Sequence, residues 1–143
     1  MPIDSKDKKI IEALRSDARA SVKGLSKKTG IRPSTVHQRI QRLVKNKTIE
    51  KFTIKADSHA LEESFIVFML VKGSTSDYIG NEIIQNAHVR EIFGITGEYD
   101  LLLKLKFKDV EEFNSFILKF RKNRKNIQST LTMVATANLK EEL

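Results

Sequence analysis

Within the run STVHQRIQRLVKN, the residues Ser34, Thr35, Gln38, Gln41, Arg42 and Lys45 share one side of a helical wheel, and none is an acid. That mixture of hydroxyls, amides and cations suits base edges and phosphates. Gln can hold adenine through two hydrogen bonds, Arg can hold guanine likewise, and Ser or Thr can contact either. The other side carries Val36, Ile40, Leu43 and Val44 at i, i+4, i+7 and i+8, which predicts a buried stripe. His37 and Arg39 flank it. Ser34, Thr35 and Gln38 are therefore the candidates for base contacts, and Arg39, Arg42 and Lys45 for phosphates.

A second stretch, GITGEYD at 94–100, sets two glycines, two acids and a tyrosine between a β-branched run and a leucine run. Glycine and acids favour tight connections, in which Asp100 would satisfy loop amides. The same residues could form the lip of a pocket: Gly97 permits close backbone approach, and an acid can meet an ammonium group. On the residues alone the stretch reads as a turn, with which a pocket is compatible.

The elements that must hold these residues follow from periodicity and charge. Residues 1–56 hold 15 Lys/Arg against 5 Asp/Glu, and residues 57–143 hold 11 against 13. A basic front half joined to a near-neutral back half points to a polyanion-binding domain tied to one with another task. In the front half, a helix capped by Asp4 carries Ile10, Ile11 and Leu14 inward. Another starts at Ser21, carries Val22 and Leu25, and stops at Gly30. Pro33 suits the entrance of the third. Two short helices, a glycine-containing turn and a polar-faced helix make a helix-turn-helix over 1–52. Ile49, Phe52 and Ile54 in TIEKFTIKAD predict a strand that serves as wing or tether.

A hinge is expected at 53–62. Strand patterns then cover 65–72, 89–96, 100–107 and 127–137. One helix starts at Ser76 with Ile79, Ile83, Ile84 and Ala87 inward. A second starts at Asp109, with Val110, Phe113, Phe116, Ile117 and Phe120 inward. The order β-α-β-β-α-β predicts a ferredoxin-like domain over 63–143, with helices on one face of the sheet. FIVFMLVK and TLTMVATA are apolar at both parities, so the open face is expected to be partly apolar and covered by a second copy. The fold class is α+β, a winged helix-turn-helix followed by this domain.

The pair resembles the Lrp/AsnC, or feast/famine, family of bacterial and archaeal transcriptional regulators. The resemblance rests on DKKIIEALRSDAR, LSKKTGIRPSTVHQRIQRL and IEKFT in front, and on ITGEYDLLLKL behind. It implies sequence-specific binding of double-stranded DNA, and an assembly of dimers expected to reach an octamer. It further implies a small effector, usually an amino acid, held between dimers. Carried onto this chain, the effector residues are Gly97, Glu98, Tyr99, Asp100 and Leu101 from the loop. Met133, Val134, Ala135 and Thr136 come from the last strand. Glu98 departs from the family, which more often has aspartate there, and its longer arm bears on ligand choice.

Other classes find less support. Without cysteine there is no disulfide or thiolate metal site, and His37, His59 and His88 lack ligand spacing. No cofactor or metal is expected. No nucleophile–base pair or phosphate-cradling loop points to an enzyme. RNA binding lacks exposed stacking aromatics. The alternative within DNA binding is a nucleoid-type architectural protein without effector control. The run KFRKNRKN at 119–126 reads first as a solvated helix end. MPIDSKDKK lacks a signal-peptide core, and a cytoplasmic location is expected.

Overall fold

The computed structural model describes residues 2–73, 80–122 and 126–142, which form two units, Met1–Lys55 and Ala56–Leu143. The expected helix start at Ser76 and Ile79 lies outside the described residues.

The first unit holds three helices, α1 (Ser5–Ser16), α2 (Val22–Thr29) and α3 (Pro33–Lys45). Asp4 caps α1 by accepting the Asp7 amide, and the Asp7 side chain accepts the Asp4 amide in return. Ser21 accepts the Gly24 amide at the start of α2. Gly30 ends that helix at φ 73°, a left-handed conformation that side chains resist. Pro33 opens α3, where no intrahelical partner for its missing N–H is needed. Ile10, Ala13, Leu14, Leu25, Ile31 and Val36 form the core.

Two expectations fail here. Val44 is 43% exposed, because at one position past Leu43 it has turned beyond the rim of the stripe. The strand expected around Ile49–Ile54 does not form, and Phe52 and Ile54 are exposed. The rest of this unit is helical, so no neighbouring strand offers its amides, and an unpaired β-prone segment gains nothing from regular geometry.

The second unit is a four-stranded antiparallel sheet. Its strands are β1 (Phe65–Gly73), β2 (Val89–Gly94), β3 (Leu101–Phe107) and β4 (Ile127–Val134), in the order β2-β3-β1-β4. Val67, Met69 and Val71 of β1 pair with Leu105, Leu103 and Leu101 of β3. These residues meet α5 (Val110–Lys122) through Phe116, Ile117 and Phe120, and α4 (Asn81–Ile84) through Ile83. Asp109 starts α5 by accepting the Glu112 amide. Ile84, Ala87 and Val110, expected inward, are exposed: α4 is a single turn with one buried position, and Val110 sits at the helix mouth.

On the opposite face Phe68, Leu70 and Leu102 are half-buried, and Phe93, Leu131 and Met133 are exposed. Lys104 and Lys106 share that face. Their ammonium groups lie 2.6 and 2.7 Å from the two oxygens of Glu141, near the chain's end. The open face is thus apolar in part, as its alternation predicts, and its two lysines share one carboxylate within the chain.

Candidate functional site

The DNA-facing candidates all sit on α3, whose capping proline and apolar stripe fix which side meets solvent. Ser34, His37, Gln38, Gln41 and Lys45 are exposed, and Thr35 is half-buried. Four hydrogen-bonding side chains and one lysine therefore form the accessible part of the face. Arg39 and Arg42 are disposed differently.

Arg39 Nη1 donates to both oxygens of Asp4, each at 2.7 Å, and to Asp7 Oδ1 at 2.8 Å. Arg42 Nη2 donates to Asp7 Oδ1 at 2.8 Å and Oδ2 at 2.7 Å. Asp7 is completely buried. With the Asp4 amide, its two oxygens accept four hydrogen bonds, which fills a carboxylate's capacity. Burial of a charge is tolerable only under such pairing. Asp4 is half exposed, and the Arg39 hydrogen bond, then the Asp7 amide, hold its carboxyl at about 2 against an ordinary 3.8.

The two acids escape a reading of α3 alone because they come from α1. A trace of them exists in the sequence: Asp7 is in phase with Ile10 and Leu14, the buried stripe of its own helix. An acid in that phase calls for a cation from a neighbouring element.

The GITGEYD loop joins β2 to β3. Asp100 Oδ2 accepts the Gly73 amide at 2.8 Å, its own amide donates to Val71 O, and its carbonyl accepts the Ile95 amide. Asp100 thus ties the loop to the end of β1. Gly97 has φ 123° with open space around its Cβ position, so its backbone conformation, not crowding, demands glycine. Glu98 is exposed, without a side-chain partner among the described residues. Tyr99 is half-buried, and Leu101 begins β3 packed against the core.

Met133 and Val134 pair with Phe68 and Val67, and the Ala135 amide donates to Ile66 O. Thr136 follows, exposed. The loop lies beside Val71 and Gly73 at the other end of β1. Along β1 the two groups stand three to seven residues apart, roughly 10–23 Å at about 3.3 Å per residue. One chain therefore does not bring the two halves of the effector set together.

The remaining candidates form no third site. His37 and His59 are exposed, whereas His88 stacks on Phe107 with Nδ1 3.0 Å from Lys106 O. A carbonyl only accepts, so that nitrogen carries the proton. Among the described residues no cluster of His, Cys, Asp or Glu could hold a metal. Lys119, Arg121 and Lys122 occupy the last turn of α5, and residues 123–125 of the same basic run lie outside the described residues.

Comparison with known proteins matches both units. The AsnC-type helix-turn-helix domain matches residues 3–44, and the Lrp/AsnC ligand binding domain matches residues 64–143. The HTH-type transcriptional regulator FL11 of Pyrococcus horikoshii is 35% identical over 143 residues, spanning 99% of this chain and 94% of its own. An uncharacterized HTH-type transcriptional regulator of Pyrococcus furiosus is also 35% identical, over 99% of this chain and 97% of its own. Among solved structures, the regulator NMB0573 of Neisseria meningitidis, in complex with L-Met, superposes with a TM-score of 0.88 at 20% identity. That match covers 99% of this chain and 94% of the other. AsnC of E. coli gives 0.82 at 23%, covering 100% and 98%. At such identities these structures speak for the fold.

Proposed function

The chain belongs to the Lrp/AsnC family of transcriptional regulators, and from that premise we propose that α3 reads double-stranded DNA while the sheet domain answers to a small amino acid held between dimers. The observation that carries the DNA reading is the exposed, acid-free row Ser34, Gln38, Gln41 and Lys45 on one helix. Thr35 and His37 stand beside it. Such a helix enters the major groove and contacts base edges. Two copies in a dimer would meet half-sites about one helical turn apart, ~10 bp.

For the effector, support comes from the matched ligand-binding domain, and by likeness from the L-Met complex of the Neisseria regulator. Gly97, Glu98, Tyr99, Asp100 and Leu101 would supply one wall from one chain. Met133, Val134, Ala135 and Thr136 would supply the other wall from a second. Their separation within one chain is the reason to place the pocket between copies. The assembly is a dimer, with the octamer as its larger form, in the cytoplasm. Among the described residues no helix is long and apolar enough to cross a membrane.

The test is thermal unfolding of the full chain against each common amino acid, with Glu98→Gln alongside. A ligand at ~100 times its Kd stabilises the folded state by about 2.7 kcal/mol. Asp100 is the wrong position to change, since losing its bond to Gly73 loosens the loop with or without a ligand. A shift with one or two amino acids, diminished in Glu98→Gln, supports the sensor. No shift with any of them sinks the effector reading. The DNA arm is separate: if ~6–10 phosphates are neutralised, affinity falls by roughly 10³–10⁵ between 50 and 200 mM salt. Salt-insensitive association would count against it.

A further inference from the structure

We infer that Asp4 and Asp7 determine DNA specificity by withholding Arg39 and Arg42 from phosphate, so that α3 presents a nearly uncharged face to the duplex. The inference rests on the DNA-binding reading of α3. Its basis is a balance of charges: two guanidinium groups meet two carboxylates in one cluster, with every heavy-atom distance between 2.7 and 2.8 Å. Arg39 keeps 19% of its side-chain surface exposed and Arg42 35%, while Asp7 keeps none. Moving either arginine to a phosphate would leave the buried Asp7 with fewer partners, which is costly.

The consequence concerns selectivity. Phosphate contacts supply almost all sequence-independent affinity, whereas contacts to base edges supply discrimination. Two free arginines on the reading helix would strengthen binding to every sequence alike. Held by α1, they instead fix how α3 packs on α1 and leave recognition to Ser34, Gln38 and Gln41. Arg39, Arg42, Asp4 and Asp7 are positioning residues here, and Lys45 remains the phosphate ligand.

Asp4→Asn tests this with little damage to the fold, because Asn caps helices as well as Asp. The full-length protein is titrated with a random-sequence duplex and with a duplex selected from a random pool, over a range of potassium chloride. Three proteins are compared: wild type, Asp4→Asn and Arg39→Gln. The expected result for Asp4→Asn is tighter binding to the random duplex, a smaller ratio of selected to random affinity, and a salt slope steeper by about 0.9 per copy. Arg39→Gln should leave the wild-type slope unchanged. A purely structural role would shift thermal stability and move neither slope nor ratio.

Unchanged slope and ratio in Asp4→Asn overturn the proposal. So does a slope shallower by about 0.9 per copy in Arg39→Gln, since Arg39 would then already be a phosphate ligand. If the wild type binds neither duplex, the DNA reading itself fails and the specificity role fails with it. Coupling between Asp7→Asn and Arg42→Gln in a double-mutant unfolding cycle would then still measure the clamp as a packing device.

Discussion

In the N-terminal unit every residue assigned to DNA lies on one helix of one chain, whereas in the C-terminal unit the effector residues divide between the two ends of β1. The same contrast runs through the ion clusters. Arg39 and Arg42 are neutralised by Asp4 and by Asp7, which is completely buried and cannot return to water without unpacking α1. Lys104 and Lys106 are both paired with Glu141, on a terminal segment that lies over a sheet face. A reading surface needs fixed geometry before its partner arrives. A regulated surface needs states that differ by little, so that a ligand can choose between them.

The largest effect should come from breaking the rigid side. Asp7→Ala leaves two partly buried arginines without their shared acid, and loss of one member of a buried pair costs about 3–5 kcal/mol. Urea unfolding measures it. A change under ~1 kcal/mol would mean that the cluster relaxes into solvent as an exposed ion pair does, and the contrast between the units would dissolve.

Next comes Gln38→Ala. Binding should weaken by roughly 1–3 kcal/mol, with preference relaxed at one base pair. Selection from randomised duplexes reads this directly. If every sequence weakens equally, Gln38 contacts the backbone, not a base.

The divided side makes a prediction that the compact side does not. Chains carrying Glu98→Gln, mixed with chains carrying Ala135→Trp, should regain effector binding in about a quarter of the sites, where both walls are wild type. A pocket confined to one chain would regain none. Variants of α3 mixed in the same way should show no rescue, since each helix reads its half-site alone.

Much of this architecture was legible in the sequence because it is local. Asp4, Ser21, Gly30 and Pro33 mark helix ends by their own chemistry, and the alternation of Leu101, Leu103, Leu105 and Phe107 gives the face of β3 directly. The misses are non-local. Ile49–Ile54 has strand propensity but no partner strand in its unit, and Ile84 and Ala87 lost their expected burial when α4 proved to be one turn. For the effector loop, the residues alone read as a turn, and only the family resemblance made it a pocket. The structure adds that Asp100 ties the loop to Gly73, which accounts for that aspartate without a ligand and leaves Glu98 as the uncommitted acid. The cations of α3 were readable as cations. Their partners, 32 and 35 residues away on α1, were not.

The smallest effect concerns Glu141, whose carboxyl is held at about 2 against an ordinary 4.5, first by Lys104 and then by Lys106. An acid depressed by folding stabilises the folded state above its ordinary value and ceases to do so as pH falls toward its folded value. The stability that Glu141 lends through its two lysines should therefore fade between about pH 4.5 and 2, as urea unfolding across that range can measure. Asp4 titrates inside that window, from 3.8 to about 2, but its release loosens α1 and α3, not the terminal segment. Glu141→Gln separates the two: it should lower stability already at neutral pH and leave only the acid sensitivity that belongs to α1. Unaltered stability and pH dependence in that variant would mean that the segment is held by something other than its ion pairs, and the sheet face beneath it would be no more adjustable than the helix cluster.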